Sequence, residues 1–526
     1  MSRIISILPK ATAVILAIIL LILPGCGNEP QIETYTIADS TGDWGYPSPY
    51  LRYSRGPGYI RMSFVFDTLI WRNESGDFIP ALAKEWTYDD SDNAYTFELQ
   101  ENAKWHDGEP VTAEDIAFTV DYVKSHPDPF VTLIGPSGIT EAVVIDEHTV
   151  KLYLESLYAP FLYEIAGTMA ILPKHIWEDV EDPMTFDGPE AVIGSGPYKL
   201  IDYDKAQGTY LYEAFDDYYQ GKPKVDRLVF VKTSEEMVTA ALTQGEVDAA
   251  GIEEEMIDSL ESQGFTILKS SYNWCAKLTI NHQKEPMNQK EFRQALAYAI
   301  DRQELVDVTQ RGHGIPGSPC LLAPDNYWYN PDIEQYEYNL QKARQLLEGL
   351  GYVLNDDGFY TKNGEVLELE LISQTSYGFE EVGQFLKDAL EDAGIKIDLV
   401  MMEGKSLDAK VEAWDFDLSV YGHGGLYEPS ILPRVITSSG FNSARYTANE
   451  ELTRLLEEQL HEMDPDARLV IVQQAEALYA EDVPAITLYH PDSYWAHDGT
   501  IDWYYTDGGI ASGIPIPLNK MSLLGK

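Results

Sequence analysis

The sequence predicts an α/β protein with several domains, and three observations support this class. The chain has 526 residues, and since a domain typically has about 150 residues, three or four domains are expected. Helix-spaced and strand-spaced apolar patterns alternate along the chain, with no long linker between them. Hydrophobic residues make up 44% and charged residues 23%, a composition that builds packed cores and excludes wholesale disorder, collagen-like chains and coiled coils.

The first half of the chain predicts mainly strands. Residues 64–71 are apolar and predict a buried strand, whereas residues 95–99 alternate with a period of two and predict a half-buried one. Thr112 begins a capping-box-like sequence, which predicts a helix through Val123. The remaining predictions for this half are a hairpin over 143–154, a strand over 228–231, a helix over 233–245 and a strand over 277–281.

The second half predicts amphipathic helices that alternate with strands. Asn288 precedes a helix with one apolar face, which ends at Ile300. Asn339 begins another helix, and Asn363-Gly364 predicts a hairpin turn. The remaining predictions are helices over 381–391, 449–462 and 465–479, and strands over 395–399 and 485–488.

The charge of the chain excludes one class of partner. There are 37 Lys and Arg residues against 86 Asp and Glu residues, which gives a net charge of −49. A surface this acidic repels phosphate backbones, so no nucleic-acid partner is expected. It also disfavours adhesion to anionic lipid headgroups.

The amino terminus predicts an export signal and a lipid anchor. An apolar run over residues 11–23 follows Arg3 and Lys10 and is short for a spanning helix, which needs about 20 residues. The sequence Leu23-Pro24-Gly25-Cys26 resembles the lipobox of secreted lipoproteins. This resemblance implies that residues 1–25 are a signal peptide and that Cys26 carries the lipid. Residues 26–33 would then be a tether. An uncleaved membrane anchor is the alternative, and either way the folded part faces outward.

The two remaining cysteines, Cys275 and Cys320, are expected to be free thiols, buried or half-buried. Export permits a disulfide, but two cysteines are no disulfide framework for a chain of this length.

Catalytic and cofactor motifs are missing from the sequence. It has no P-loop, no His-Glu-x-x-His, no dinucleotide fingerprint and no Gly-x-Ser-x-Gly elbow. The sequence therefore predicts neither an enzyme nor a bound cofactor. No histidine pair has metal-ligand spacing on one helix, so no firm metal site is predicted. His423 is flanked by glycines, where a backbone can approach a ligand closely.

Six motifs, in order, resemble one family over about residues 34–490. They are FDTL at 66–69, PALAKEW at 80–86, FELQENAKWHDGEPVTAED at 97–115, GSGPY at 194–198, ALTQGEVD at 241–248 and FRQALAYAIDR at 292–302. Together they resemble the large extracytoplasmic solute-binding proteins of ABC importers, family 5, in the branch that takes oligopeptides, dipeptides and nickel chelates.

The resemblance implies a two-lobe periplasmic-binding-protein-like fold, the large three-domain type II variant. Lobe one would be discontinuous, with an inserted domain, and lobe two would follow. The implied boundaries are 34–65, 195–282 and 487–526 for lobe one, 66–194 for the inserted domain and 283–486 for lobe two.

The same resemblance implies a mechanism and partners. A hinge would let the lobes close over a solute, and cargo contacts made only in the closed form would shift the population towards it. The closed form, expected to be a monomer, would dock on membrane permease subunits whose ATPase is a separate chain. The lipid on Cys26 would keep it near them.

The sequence leaves the cargo open between two main classes. Peptide binders of this family hold the α-amine on an Asp of lobe two, but Gly425 stands at that position, in a segment that still keeps Tyr427 and Glu428. Peptides or peptide-like solutes are the first expectation. A nickel or other metal chelate is the alternative, with His423 as a possible ligand through a bound chelate. Sugars, opines and other small solutes remain as further cargo classes, and a receptor that does not serve transport remains as a further alternative.

Nine residues are predicted to line the cleft. Lobe one would supply Trp44 and Tyr46 from the loop after the first strand, and Arg61 to bind a carboxylate of the cargo. An internal ion pair explains Arg61 more readily. The predicted ligand-binding residues are Trp44, Tyr46, Tyr59, Arg61, Tyr377, Tyr421, His423, Tyr427 and Glu428.

Two other function classes remain open. A secreted hydrolase would need a nucleophile or paired acids in the cleft. A surface adhesin would need neither cleft closure nor a small ligand. Ligand-induced compaction would separate both from a solute binder.

Overall fold

Two large β-sheets organise the part of the chain that the computed structural model describes, which is residues 31–53, 56–127, 138–376, 378–440 and 442–525. The first sheet has seven strands, in the order Thr266–Lys269, Tyr494–His497, Ala249–Ile252, Ile32–Asp39, Val225–Lys232, Thr209–Ala214 and Tyr198–Asp204. Its centre is parallel, because Ile32–Asp39 pairs in parallel with both of its neighbours.

The second sheet has six strands, in the order Ile315–Pro316, Ala485–His490, Trp274–Ile280, Leu418–Gly424, Glu368–Gln374 and Lys396–Met402. Leu418–Gly424 and Lys396–Met402 run parallel to Glu368–Gln374, which lies between them. Because parallel strands end at one edge, the loops after Gln374, Met402 and Gly424 lie on the same side of this sheet.

Three smaller sheets complete the described strands. Four strands lie in the order Ala83–Asp89, Ala94–Leu99, Thr149–Leu154 and Ile139–Asp146. A two-stranded sheet pairs Ile70–Arg72 with Phe78–Pro80. A three-stranded sheet joins Val353–Leu354, Tyr360–Lys362 and Glu365–Val366.

Helices cover the sheets. The α-helices in the described residues are Gly56–Ser63, Ala113–Ser125, Lys174–Trp177, Glu235–Thr243, Ile257–Glu261, Lys290–Ala299, Arg302–Thr309, Leu340–Gly349, Phe379–Asp392, Gly404–Ala413, Ile431–Ile436, Glu450–Glu458 and Pro465–Asp482. Both faces of the second sheet are buried, since Leu278 packs into one apolar core and Cys275, on the same strand, into another. A separate core lies between the four-stranded sheet and the helix Ala113–Ser125.

Most of the predicted elements are confirmed. The capping box at Thr112 is present, and its helix ends at Ser125. Asn339 caps the helix Leu340–Gly349, because its side chain accepts a hydrogen bond from the backbone N–H of Lys342 at 2.9 Å. Both remaining cysteines, Cys275 and Cys320, are free and buried, as expected.

The strand predicted over residues 64–71 is wrong for most of its length. Only Ile70–Arg72 forms a strand, although Phe64 and Val65 are fully buried. The carbonyl of Val65 instead accepts from the Gly196 N–H at 2.8 Å. A Cβ on Gly194 would lie 1.9 Å from the same carbonyl oxygen, so this crossing of two segments excludes any side chain there. Residues 64–69 are therefore apolar because they are buried, although they form no strand. The crossing with residues 194–196 takes the place of strand pairing.

Sheet membership moves two of the expected domain boundaries. Trp274–Ile280, expected in lobe one, pairs with Leu418–Gly424 and with Ala485–His490 in the second sheet. The chain therefore passes between the two large sheets at residues 270–273 and 491–493, and not at 282 and 486. The physical reason is that a strand belongs with its hydrogen-bonding neighbours, which the apolar pattern does not reveal. The other boundaries stay predictions.

Candidate functional site

Two adjacent connections join the large sheets. They contact each other, because the Ser270 N–H donates to the Ser493 carbonyl at 3.0 Å. Beside this contact, the Lys269 ammonium lies 2.8 Å from an Asp492 carboxylate oxygen. A hinge consists of a few loop residues that absorb the change in backbone angles, and two short neighbouring loop segments meet this requirement.

The loop after the first strand carries two of the predicted site residues, and both converge on Asp39. The Trp44 indole N–H donates to the Asp39 carboxylate at 2.7 Å, and the Arg61 guanidinium donates to the same oxygen at 2.9 Å. Arg61 is 2% exposed and lies 3.5 Å from the centre of the Phe230 ring. In this arrangement Arg61 is an internal ion-pair partner, while half-buried Trp44 lies at the edge of the loop.

Tyr46 and Tyr59 contact residues of the predicted insert. The Tyr59 hydroxyl is buried and donates to the Thr168 carbonyl at 2.9 Å. The half-buried Tyr46 donates to the Gly188 carbonyl at 3.2 Å. Burial raises the pKa of Tyr46 above its usual value. Both tyrosines therefore tie the first sheet to residues of the predicted insert.

A tryptophan that was not predicted explains the glycines around His423. The Trp274 indole packs against the strand Leu418–Gly424, since a Cβ on Gly422 would be 2.2 Å from its ring carbons. On its other side the indole stacks with Phe379, with 6.3 Å between ring centres. The glycine at position 422 thus makes room for Trp274, where the sequence suggested room for a ligand.

His423 is buried among cationic neighbours. It is 8% exposed, and neither ring nitrogen has a hydrogen-bond partner within the described ranges. Burial, followed by the charges of Lys277 and Arg434, holds the pKa of His423 well below its usual value, so the ring is neutral. Lys277 is 1% exposed and donates to the Asn442 carbonyl at 2.5 Å, and burial lowers its pKa to about 8.

Tyr421 contacts the helix Gly404–Ala413. Its hydroxyl donates to the Asp408 carboxylate at 2.9 Å, and its ring packs beside Leu407 and Phe416. Tyr421 therefore lies over the helix Gly404–Ala413, which carries Leu407 and Asp408.

Tyr427 meets a strained glycine-rich loop, residues 508–513. A Cβ on Gly508 would lie 2.4 Å from the ring carbons of half-buried Tyr427. Five residues of this loop have positive φ, among them Ala511 at 34° and Ser512 at 50°. Non-glycine residues in this region are strained, and such strain is concentrated at functional sites. The loop also contacts the turn after the strand Leu418–Gly424, since a Cβ on Gly425 would be 3.1 Å from the Ser512 carbonyl oxygen.

Arg72 is hydrogen-bonded to the backbone of the same loop. Its guanidinium donates to the Gly509 carbonyl at 2.8 Å and lies 4.9 Å from the centre of the Tyr163 ring. The Tyr163 hydroxyl donates to the Gly508 carbonyl at 3.2 Å. Two residues of the predicted insert, Arg72 and Tyr163, therefore hold the loop that faces Tyr427.

Glu428 is buried beside the contacts that its neighbours make with the predicted insert. It forms an ion pair with Arg468. Burial raises the pKa of Glu428 although Arg468 opposes the shift. Close by, the Ser430 hydroxyl donates to the Glu164 carboxylate at 2.7 Å, and the Ala159 N–H donates to the Leu460 carbonyl at 2.8 Å. We call the contacts of residues 157–164 with residues 428–461 the insert contact.

The predicted residues thus fall into separate groups. Among the described residues, no hydrogen bond or ion pair joins Trp44 or Arg61 to the segment 421–428. Tyr377 and Cys26 lie outside the described residues. The described residues hold no group of three or more metal-ligating side chains, and no helix among them is long and apolar enough to cross a membrane.

Sequence reasoning missed Trp274, Arg72, Glu164 and the loop 508–513. The only signal for the loop was its density of glycines, which indicates close backbone approach. The other three are ordinary residues until the fold brings distant segments together.

Comparison with protein families and sequences gives a consistent result. The family model of bacterial extracellular solute-binding proteins, family 5, matches residues 77–442, more than half of the chain. The dipeptide-binding protein of Escherichia coli (strain K12) is 30% identical over 308 residues, 52% of this chain and 55% of that protein, so the match spans about half of that relative. Oligopeptide-binding protein AppA of Bacillus subtilis (strain 168) is 27% identical over 437 residues, 78% of each chain.

Solved structures agree on the fold. The oligopeptide-binding protein AppA from Bacillus subtilis, in complex with a nonapeptide, matches with a TM-score of 0.78 at 22% identity, over 95% of this chain and 100% of that one. NikZ from Campylobacter jejuni, in complex with Ni(L-His), matches with a TM-score of 0.76 at 23% identity, over 89% of this chain and 94% of that one. These matches confirm the predicted α/β fold of the large binding-protein type.

Proposed function

Because the chain belongs to the bacterial extracellular solute-binding proteins of family 5, we propose that it is the substrate-binding lipoprotein of an ABC importer whose cargo is a peptide or peptide-like solute. The family consists of binding proteins and not of enzymes, which confirms the expectation of a non-enzymatic chain and sets the hydrolase alternative aside.

The observation that carries the proposal is the pair of adjacent connections at residues 270–273 and 491–493. Within the described residues the chain passes between the two large sheets only at these connections, so the two lobes can rotate as bodies about them. Tyr427 on one side contacts the loop 508–513 on the other. A cargo that contacts both sides would favour the closed arrangement over the open one. Half-buried aromatic rings such as Trp44 and Tyr427 suit a peptide, because they offer apolar area with a polar edge.

The cellular setting belongs to the same proposal. Cys26 would carry the lipid after removal of residues 1–25, which holds the protein at the outer face of the membrane. The closed protein would then dock, as a monomer, on permease subunits that use a separate ATPase. No nucleic-acid partner is expected, because the acidic surface of the chain repels phosphate backbones.

A metal chelate is the second candidate, and His423 is the observation that favours it. Its neutral ring has no partner on either nitrogen in the described part of the chain, so one nitrogen is free to bind a metal. Lys277 and Arg434 place positive charge near this ring. A bare cation is disfavoured there, whereas a chelate with net negative charge is not.

Native mass spectrometry of residues 27–526, with metal analysis of the same sample, tests the proposal. We expect an added mass of several hundred daltons that fragments into amino acids, kept in His423→Ala and lost in Tyr427→Ala. A stoichiometric nickel or cobalt signal that His423→Ala removes would replace the peptide by the chelate. If the protein is purified empty, a casein-peptide digest is added, and failure to bind any peptide or nickel chelate would overturn both.

A further inference from the structure

Two ion pairs cross from one large sheet to the other. Glu254 and Glu255 follow the strand Ala249–Ile252 of the first sheet, whereas Arg311 and His313 precede an edge strand of the second. The Arg311 guanidinium lies 2.8 Å from a Glu255 carboxylate oxygen. The Nδ1 atom of His313 lies 2.6 Å from a Glu254 carboxylate oxygen. We call these two pairs the latch.

The latch lies beside one of the connections between the sheets. The strand that leads to its glutamates ends at Ile252, which pairs with Tyr494, and Tyr494 begins soon after the connection at residues 491–493. On the other side of the latch, Ile315 pairs with His490, which comes just before the same connection. A rotation of the lobes about this connection therefore changes the distance across the latch. Both pairs are formed in the arrangement in which the lobes touch.

The contact of His313 with Glu254 depends on the charge of the ring. The Glu254 oxygen in this contact is buried and makes no hydrogen bond within the described residues. The approach of Nδ1 to 2.6 Å without the angles of a hydrogen bond is therefore an attraction between charges, which requires a protonated ring. Histidine is the side chain whose charge ordinarily changes between pH 5 and 8.

The groups around the latch leave His313 as the one that titrates near neutral pH. The charged and titratable groups on the neighbouring segments are Glu253, Lys269, His490, Asp492 and Tyr494. Lys269 and Asp492 pair with each other. Burial lowers the pKa of His490 to about 4, so this ring is neutral. Burial, and then Glu254, raise the pKa of Tyr494 to about 12, so its hydroxyl is neutral as well.

We propose that the latch is a pH-dependent device that favours the arrangement with touching lobes in acidic surroundings. The inference rests on the proposed function, because it concerns the closure that would capture cargo. The attraction is present while His313 is protonated and is lost as rising pH removes the proton, so proton binding and closure favour each other. With 86 acidic residues against 37 basic ones, the two lobes repel on approach, and the cations of the latch oppose this repulsion.

Small-angle X-ray scattering of residues 27–526, stripped of cargo and measured at pH 6 and pH 8 in low salt, tests the proposal. We expect a smaller radius of gyration at pH 6, and a response that disappears in His313→Gln. The ratio of touching to separated lobes should change by up to about fivefold, since exposed ion pairs contribute little. His175→Gln is the matched control, because His175 lies 2.8 Å from the Asp107 carboxylate but both belong to the predicted insert.

Exchanged charges test the second pair of the latch. Glu255 and Arg311 are both exposed, so substitutions there leave the cores untouched, and circular dichroism confirms folding. We expect Glu255→Arg to enlarge the radius at both pH values, because it sets two cations against each other. The double variant Glu255→Arg/Arg311→Glu should restore the smaller radius.

Three results would overturn the proposal. The first is an equal radius at pH 6 and pH 8 in the unchanged protein. The second is a pH response that His313→Gln keeps. The third is a double variant as extended as Glu255→Arg alone. Because these measurements use no cargo, the latch and peptide capture can fail independently.

Discussion

At the scale of single residues, the Trp274 indole fills the space that a side chain at position 422 of the second sheet would occupy. Trp274 occupies the space above Gly422 and extends towards Gly424, where a Cβ would lie 3.2 Å from its ring. The ring reaches Phe379 on its far side, so it cannot move away without opening an apolar core. Residue 422 is therefore restricted by packing.

We expect Gly422→Ala to lower the free energy of unfolding by about 1–3 kcal/mol, because the new methyl group overpacks the Trp274 ring. Urea denaturation measures this change. Gly349→Ala is the matched control, since its Cβ would meet no atom within 4 Å. Equal stability of the two variants would show that Trp274 does not hold this position in solution.

Glu476 is a buried carboxyl group whose titration should affect stability. It is 3% exposed, and its oxygens accept from the Cys320 thiol at 2.9 Å and from the Asn330 N–H at 2.7 Å. Burial raises the pKa of Glu476 to about 8. The folded protein therefore holds a proton that the unfolded chain releases above pH 4.5, so stability is lost as pH rises from 4.5 to 8.

We expect Glu476→Gln to remove this loss, which is at most about 1.4 kcal/mol per pH unit. Urea denaturation at a series of pH values between 5 and 8 measures it. The exposed Glu457→Gln is the control and should keep the wild-type slope. A wild-type slope in Glu476→Gln would contradict the assignment to this group.

At the scale of elements, the insert contact is the feature that ties the predicted insert to the second sheet's helices. Glu164 accepts from Ser430 and from Tyr158, and it lies near the ion pair of Glu428 with Arg468. Hydrogen bonds to charged groups are worth more than those between neutral groups. The insert contact should therefore favour the arrangement in which the lobes touch.

We expect Glu164→Ala to weaken cargo binding by about tenfold, since it removes the charged acceptor from this contact. Calorimetry with the peptide identified by mass spectrometry measures the loss. The exposed Glu141→Ala, also in the predicted insert, should bind as tightly as the unchanged protein. Tight binding by Glu164→Ala would mean that closure does not depend on the insert contact.

Elements differ in how well the sequence predicts them. The helix after Thr112 and the helix after Asn339 follow from local patterns, because a cap and an apolar stripe lie within a few residues. The sheet membership of Trp274–Ile280 does not, since its partners are far along the chain. The loop 508–513 escaped prediction for the same reason, because Tyr427 and Arg72 define it from two distant segments.

The candidate site was predicted unevenly on similar grounds. Tyr427 lies at the meeting of two segments, and its role in cargo binding stays a prediction. Arg61, for which the sequence allowed either a cargo clamp or an internal partner, is paired with Asp39. The sequence holds no information on which of the 86 acidic residues an arginine will meet, because that depends on the fold.

At the scale of the whole molecule, the connections at residues 270–273 and 491–493 are the central feature. They are the places where the chain passes between the two large sheets, and they lie side by side. Contacts elsewhere include Tyr427, the insert contact, and the pairs Arg311–Glu255 and His313–Glu254, which lie 2.8 and 2.6 Å apart. Such an arrangement allows an open form that differs from the closed one by rotation about the connections.

Small-angle X-ray scattering of residues 27–526, first stripped of cargo and then saturated with the identified peptide, tests this central claim most directly. We expect the radius of gyration to fall on loading, because cargo that contacts both lobes favours the closed form. Native mass spectrometry of the same samples confirms loading. An unchanged radius in a fully loaded sample would contradict capture by hinge closure.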